Sequence, residues 1–335
     1  MRRQEILFTG RNEVTVTSAE FDAELLPDQI LVETMYSFVS TGTELAKLTG
    51  LQTVHYPLTP GNRAVGRVAA IGAAVDDVAV GDIVMAHTPH VSHAITNGFR
   101  VRVPKAVDAK DAAAAALALV AMTSVRVSAP ELGDRVAIVG LGGVGLIAAQ
   151  LFLAAGLEVV GVDASEGRLG LARECGVSSL VHGGRATTVD DVLRLTGEAG
   201  ADIVVEATGL PQLVEPALNM AKRGGQLVLL GSPRGVVEAN LTPILNHVHL
   251  WQEHGTVTIK GAHEWQFPLY SDAFTRHSIQ RNAETIFSLI ERGKLDLSKA
   301  IGRVVAPSAA PQAYEGMLTK PDEWAGVLFD WGVGR

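Results

Sequence analysis

One stretch decides the fold of this chain: Arg135-Val136-Ala137-Ile138-Val139-Gly140-Leu141-Gly142-Gly143-Val144-Gly145. The apolar run before the glycines predicts a buried strand, and the apolar residues from Gly145 to Ala155 predict a helix. The glycines follow the spacing G-x-G-x-x-G, which is informative only where it joins a strand to a helix. Because both neighbours are present, we expect a strand–turn–helix unit of a parallel α/β sheet here.

The glycine turn also predicts a dinucleotide site. Gly140 permits the tight turn, Gly142 lets the backbone approach a pyrophosphate, and Gly145 lets the helix pack closely on the strand, so that the helix N-terminus binds the phosphates. Asp163 ends the next predicted strand, where a carboxylate accepts hydrogen bonds from both ribose hydroxyls and repels a 2′-phosphate. We therefore expect NAD in preference to NADP, with Arg168 within reach of the same ribose. In the alternative, the turn is only structural and Asp163 caps the next helix.

Strands and helices alternate on both sides of this turn. Further strands are predicted at 158–162, 201–206, 226–230 and 257–260, and helices at 111–127, 166–175 and 212–220. This alternation predicts a doubly wound parallel sheet with helices on both faces, and ligands of such sheets bind at the carboxyl ends of the strands. The turns expected there are Ala207-Thr208-Gly209, Gly231-Ser232 and Gly261-Ala262-His263, although each also fits an ordinary strand-to-helix turn.

Residues 1 to about 120 have a different pattern. Short runs rich in β-branched residues, at 14–16, 30–32, 65–70 and 83–85, are separated by glycine, proline and aspartate rather than by helices. We expect an antiparallel, barrel-like arrangement. The sequence is therefore predicted to fold as two domains of different class.

The composition limits the possible functions. Hydrophobic residues make up 47% of the 335 residues and the net charge is −8, which argues against nucleic acid or an anionic membrane as a partner. The longest apolar run, 112–122, is too short to cross a bilayer. Cys175 is the single cysteine, so an internal disulfide and a four-cysteine zinc site are both excluded, and a reducing cytoplasmic location fits.

The chain resembles the medium-chain dehydrogenase/reductase superfamily over essentially its whole length. The motifs that carry the resemblance are 41–44 (Thr-Gly-Thr-Glu), 60–68, 80–84 and the 140–145 fingerprint. The segments 40–44 and 231–235 look most like the branch of bacteriochlorophyllide hydroxyethyl dehydrogenases and sugar or cyclitol dehydrogenases. The resemblance implies a β-rich GroES-like domain at 1–122, completed by 264–335, and a Rossmann domain at 123–263. It also implies a small-molecule substrate and a homodimer.

This sequence departs from the zinc-containing members of that superfamily. They have Cys-Gly-x-Asp where this chain has Thr41-Gly42-Thr43-Glu44, and Gly-His-Glu where it has Gly61-Asn62-Arg63. The third ligand is expected near 119–122, which holds Leu, Val, Ala and Met. Zinc requires thiolate, imidazole or carboxylate ligands, so we expect no metal. A rival site at His87, His90 and His93 is weakened by Pro89 and by the lack of a nearby carboxylate.

Without zinc, other groups must assist hydride transfer. By the resemblance, Thr41 stands at a zinc-ligand position, and Glu44 and Arg63 lie beside such positions. His263 follows the predicted strand 257–260, and these four residues are the catalytic candidates. Glu44 and Arg63 could instead form a structural ion pair. By position, Thr123 matches a residue near the nicotinamide in zinc relatives, although its hydroxyl could equally bond its own helix. The expected cofactor contacts are Thr123, Gly140, Leu141, Gly142, Gly143, Val144, Gly145, Asp163, Arg168, Ala207, Thr208, Gly231, Ser232, Gly261, Ala262 and His263.

Three functions fit these observations. The first is a zinc-independent, NAD-dependent dehydrogenase that oxidises a secondary hydroxyl, or reduces the ketone, of a polar, sugar-like or cyclitol substrate. The second is an alkene or quinone reductase that uses the reduced cofactor, since conjugation in the substrate eases charge development. The third is a nucleotide-binding protein without catalytic activity. Asp163 favours NAD and therefore favours the first function.

Overall fold

The computed structural model describes residues 1–251 and 255–332. The chain divides into two compact units. The first unit comprises Met1–Ala116, Pro268–Arg292 and Leu297–Arg335, and the second comprises Leu117–Phe267 and Gly293–Asp296. The sequence predicts boundaries at 122 and 263, whereas the structure divides the chain after residues 116 and 267 and assigns residues 293–296 to the second unit.

The helices and strands are numbered in chain order. The strands are β1 (Arg2–Gly10), β2 (Glu13–Glu20), β3 (Ile30–Phe38), β4 (Ala64–Ile71), β5 (Ile83–Ala86), β6 (His93–Thr96), β7 (Arg100–Arg102), β8 (Arg135–Val139), β9 (Glu158–Asp163), β10 (Ser179–His182), β11 (Ala201–Glu206), β12 (Ala221–Leu229), β13 (Thr258–Gly261), β14 (Arg303–Val305) and β15 (Val327–Asp330). The α-helices are α1 (Thr41–Thr49), α2 (Ala109–Ser128), α3 (Gly143–Ala154), α4 (Glu166–Glu174), α5 (Thr188–Leu195), α6 (Val214–Met220), α7 (Leu241–His249), α8 (Ile279–Glu291) and α9 (Ala310–Thr319).

The second unit is built on a six-stranded sheet with the order β10-β9-β8-β11-β12-β13. Every neighbouring pair is parallel, which confirms the prediction of a parallel sheet. Its strands are rich in valine and isoleucine because parallel strands are covered by helices on their faces. The core contains Ala137, Val160, Val204 and Leu227, all nearly inaccessible to solvent. From β8, the chain continues to β9 and β10 on one side of the sheet and then to β11, β12 and β13 on the other side. The glycine turn follows β8, at the point where the strand order reverses.

The first unit holds a seven-stranded sheet and a two-stranded sheet. The larger sheet has the order β14-β15-β3-β4-β5-β7, with β6 paired to β3, and apart from the parallel pair β14–β15 its neighbours are antiparallel. Strands β1 and β2 form an antiparallel hairpin. The predicted β-rich, GroES-like domain is confirmed. Helices α1 and α9 are additions that the sequence pattern did not predict.

Helix α2 is long and apolar enough, by composition alone, to cross a membrane. However, 67% of its apolar window is buried inside the protein. Ala112, Ala114 and Ala118 are completely inaccessible to solvent. Small side chains allow such close packing, and an alanine-rich helix buried in this way is the usual pattern of a core helix.

Candidate functional site

The glycine turn after β8 has the geometry of a phosphate-binding turn. Gly140 has a φ of +94°, a backbone conformation that residues with a side chain rarely adopt. A Cβ atom on Gly145 would lie 1.8 Å from the carbonyl oxygen of Gly140, so only glycine lets α3 start this close to the strand. Gly142 is the N-cap of α3, and a Cβ atom there would meet nothing within 4 Å. The space above Gly142, at the helix N-terminus, is therefore open to a phosphate group.

Asp163 ends β9 beside this turn. Its Oδ2 accepts a hydrogen bond of 2.7 Å from the backbone N–H of Leu141, and its Oδ1 accepts one of 2.9 Å from the N–H of Ser165. A guanidinium nitrogen of Arg168 lies 3.7 Å from the same Oδ2. The N-cap of α4 is Ser165, whose hydroxyl accepts from the N–H of Arg168. Each carboxylate oxygen has a second lone pair, so Asp163 can still accept from ribose hydroxyls.

Two further turns pack against each other after β11 and β12. A Cβ atom on Gly231 would lie 2.2 Å from the backbone nitrogen of Gly209. Glu206 ends β11 and accepts hydrogen bonds from the N–H groups of Thr208 (2.8 Å) and Gly209 (3.0 Å), and Ala207 donates its N–H to the carbonyl of Val139. Glu206 is not among the site residues predicted from the sequence, although an acidic residue at the end of a buried strand repeats the signal that identified Asp163.

The other predicted cofactor contacts of the second unit have local partners. Thr123 is fully buried, and its hydroxyl donates to the carbonyl of Leu119 in its own helix. The sequence left open whether Thr123 contacts the cofactor or bonds its own helix, and its hydroxyl forms the bond within the helix. His263 follows Gly261 and Ala262 at the end of β13, is exposed, and accepts a 3.4 Å hydrogen bond at Nδ1 from the N–H of Trp265. Its role stays a prediction.

Thr41 and Glu44 lie in the first turn of α1, in the first unit. The Thr41 hydroxyl donates to the sulfur of Met317 at 3.8 Å. Glu44 is 2% exposed, and its carboxylate accepts from the Ser40 N–H (2.8 Å), the Tyr314 hydroxyl (2.5 Å) and Nε2 of His90 (3.1 Å). The side chain of Glu44 therefore points into the core, where it has His90 and Tyr314 as side-chain partners. Its position fits a structural role better than contact with a substrate.

The three donors determine the charge of Glu44. Burial acts to raise the pKa of this carboxyl, but the His90 ring, the Tyr314 hydroxyl and the Ser40 N–H together hold it below its usual value. Burial and the negative charge of Glu44 raise the pKa of Tyr314 well above its ordinary range. Glu44 is therefore ionised and Tyr314 protonated at neutral pH.

Arg63 is a buried cation at the position of the family's glutamate. It is 3% exposed, and its guanidinium carbon lies 5.8 Å from the centroid of the Phe99 ring. The ring of His87 lies 5.0 Å from the same phenylalanine ring. Burial, together with the charge of Arg63, lowers the pKa of His87 to about 4. His87 is therefore neutral at physiological pH and leaves Arg63 as the positive charge of this cluster.

The residues at the family's zinc positions do not fit a zinc ion. At the first of these positions, the Thr41 hydroxyl donates to the thioether sulfur of Met317. The second position holds Asn62, which is followed by the buried Arg63. Within residues 1–251 and 255–332, no group of three or more His, Cys, Asp or Glu side chains is arranged to hold a metal. The rival histidines have separate partners: His90 binds Glu44, and Nδ1 of His93 lies 3.1 Å from the Ser92 hydroxyl.

Known proteins resemble this chain in both units. Residues 143–269 match the zinc-binding dehydrogenase family, and residues 26–101 match the alcohol dehydrogenase GroES-like domain. D-guloside 3-dehydrogenase of Escherichia coli (strain K12) is 29% identical over 259 residues, 76% of this chain and 72% of that protein. Sorbitol dehydrogenase of Bacillus subtilis (strain 168) is 24% identical over 257 residues, 64% and 72% of the two chains. The crystal structure of galactitol-1-phosphate dehydrogenase from Escherichia coli has the same fold, with a TM-score of 0.84, 20% identity and coverage of 98% and 99%.

Proposed function

Because the chain belongs to the medium-chain dehydrogenase/reductase superfamily and is an oxidoreductase of the alcohol dehydrogenase type, we propose that it oxidises a secondary hydroxyl of a polyol or sugar-like substrate with NAD and without zinc. The proposal depends above all on the open glycine turn, which presents the N-terminus of α3 next to the carboxylate of Asp163. The similar dehydrogenases that act on a guloside and on sorbitol support the substrate class.

The second unit supplies the groups that would hold NAD. The N–H groups at the start of α3 would hold the pyrophosphate, and Asp163 would accept from the adenosine ribose. A 2′-phosphate would be repelled by this carboxylate, which is why we propose NAD before NADP. When bound, the cofactor supplies the hydride acceptor.

Arg63 is the group that we assign to charge stabilisation in place of zinc. A guanidinium in a buried site interacts strongly with an oxygen that becomes negative during the reaction, because little water screens it. It cannot accept the proton of the hydroxyl, since arginine has donors only. We assign that step to the exposed imidazole of His263, which would accept the proton at Nδ1 and give up its long hydrogen bond from Trp265.

A matched pair of arginine variants tests this assignment. With NAD and a panel of polyols and sugars, Arg63→Ala should lower kcat/KM by about 100-fold and leave the affinity for NAD unchanged. Arg67→Ala is the control, because Arg67 is an exposed residue of β4 whose guanidinium donates to the Gly81 carbonyl. Equal activity of the two variants would refute the role of Arg63. Turnover of enones or quinones with NADH, and of no alcohol with NAD, would instead identify a reductase.

We also propose that the protein is a cytoplasmic homodimer. Strand β13 is an edge of the six-stranded sheet, and edge strands offer unpaired N–H and C=O groups to another chain. Apolar side chains of the same unit are exposed, with Ile259 of β13 at 38% and Leu241 and Leu245 of α7 at 61% and 60%. Light scattering should give twice the chain mass for the wild type and a monomer for Leu245→Lys. A monomeric wild type would refute the dimer.

A further inference from the structure

A chain of hydrogen bonds runs through the core of the first unit beyond Glu44. Nδ1 of His90 lies 2.8 Å from the Ser37 hydroxyl, and the Trp331 indole N–H donates to the same hydroxyl at 2.9 Å. Ser37 and His90 are completely inaccessible to solvent, and Trp331 is 3% exposed. The chain therefore links the buried side chains of Trp331, Ser37, His90 and Glu44.

The donors and acceptors give this chain a direction. An indole N–H can only donate, so Ser37 accepts from Trp331 and its own proton is available for Nδ1 of His90. We assign His90 the tautomer with its hydrogen on Nε2, so that the ring accepts from Ser37 at Nδ1 and donates to Glu44. In this arrangement Glu44 holds the negative charge, and each donor meets an acceptor. Buried polar networks in which every group is satisfied make the surrounding structure rigid.

His90 also fixes the loop that precedes β4. Its backbone N–H donates to the carbonyl of Pro60 at 2.7 Å. Gly61 has a φ of +101°, and a Cβ atom on it would lie 2.7 Å from the His90 nitrogen and 3.0 Å from Cγ of the ring. Pro60 and Gly61 therefore lie directly on His90, and we expect the path of segment 60–63, which they begin, to depend on where that ring is held.

We propose that Glu44 and His90 are positioning residues that join segment 41–44 to segment 60–63, the connection made in zinc relatives by ligands to one metal ion. Both segments carry proposed site residues, Thr41 on one and Arg63 on the other, so this inference rests on the proposed function. Glu44 and His90 act through these segments and need not contact the substrate. Their loss should lower kcat more than it raises KM.

Hydrogen exchange measured by mass spectrometry tests the connection independently of activity. Tyr314→Phe removes one donor to Glu44 and keeps the ring, and Glu44→Gln removes the charge. The control is Tyr56→Phe, which removes a hydroxyl that donates to the carbonyl of Lys47 in the same unit. In both test variants the amides of 41–44 and 61–63 should exchange about tenfold faster. Those of β4, β5 and the whole second unit should keep their rates, and the control should match the wild type.

The outcomes are distinct. Unchanged exchange in both segments for Tyr314→Phe and Glu44→Gln would overturn the connection, and so would faster exchange spread over the whole first unit. If Glu44→Gln fails to fold, Tyr314→Phe alone decides. Faster exchange in the two segments of a protein that oxidises no polyol would support the connection and refute the proposed function. With an active wild type, the connection also requires a fall in kcat at unchanged NAD affinity.

Discussion

Substitution of Gly142 by alanine separates the cofactor role of the glycine turn from its structural role. The backbone of Gly142 has φ −62° and ψ −178°, which alanine adopts without strain, and its Cβ would meet nothing within 4 Å. We therefore expect Gly142→Ala to fold with a melting temperature close to that of the wild type. The new methyl group would occupy the open space that we assign to the pyrophosphate.

The loss of affinity can be estimated from the groups at this position. A phosphate moved away from the helix N-terminus loses at least one charge-assisted hydrogen bond, which is worth about 2 kcal/mol. That is a factor of about 30 in the dissociation constant for NAD. Titration calorimetry or quenching of intrinsic fluorescence measures it directly.

Two neighbouring glycines provide the matched comparisons. A Cβ atom on Gly143 would lie 3.5 Å from Leu117, an ordinary contact, so Gly143→Ala should keep its stability. On Gly145 it would lie 1.8 Å from a backbone oxygen, so Gly145→Ala should lose about 3 kcal/mol or more and several degrees of melting temperature. The reasoning is refuted if Gly142→Ala binds NAD as tightly as the wild type.

Three further predictions follow from the two units. Asp163→Ala should weaken NAD much more than NADP in parallel titrations, and an unchanged preference would show that this carboxylate does not touch the ribose. The purified protein should contain no stoichiometric zinc by elemental analysis, and chelators should leave its activity intact, whereas one zinc per chain would overturn the zinc-independent proposal. His87 has a pKa of about 4 in the folded protein, below its ordinary value of 6.5, so the unfolded chain takes up the proton first and stability should fall as the pH drops from 6.5 towards 4. His87→Gln should lose less stability over this interval in denaturant titrations, and identical curves for the two proteins would contradict the assignment.

Elements with a strong local pattern could be predicted from the sequence, whereas elements with a weak or interrupted pattern could not. Strands β8 and β11 have the predicted bounds because each is an apolar run between clear turn signals. Strand β12 begins five residues before the prediction, since Gly224-Gly225 reads as a turn although it lies within the strand. Helix α1 has nine residues and includes Gly42 and three threonines, so its helical pattern is weak.

The candidate site was only partly predictable for a different reason. The residues of the glycine turn and Asp163 follow local rules of spacing, so their contacts could be anticipated. The partner of Glu44 could not, because His90 lies 46 residues away and only the tertiary fold decides which loop covers α1. The sequence suggested Arg63, a chemically reasonable partner, and gave no signal for Tyr314, which lies 270 residues away.

The two backbone hydrogen bonds of Asp163 have a consequence for redesigning coenzyme preference. Removing the carboxylate to admit a 2′-phosphate also removes the acceptor for the Leu141 N–H, so the redesigned enzyme would hold both coenzymes less firmly. An asparagine at 163 retains one acceptor oxygen and loses the charge, and Arg168 is already close enough to meet the added phosphate. A useful NADP-dependent variant should therefore start from asparagine at this position rather than from a small residue.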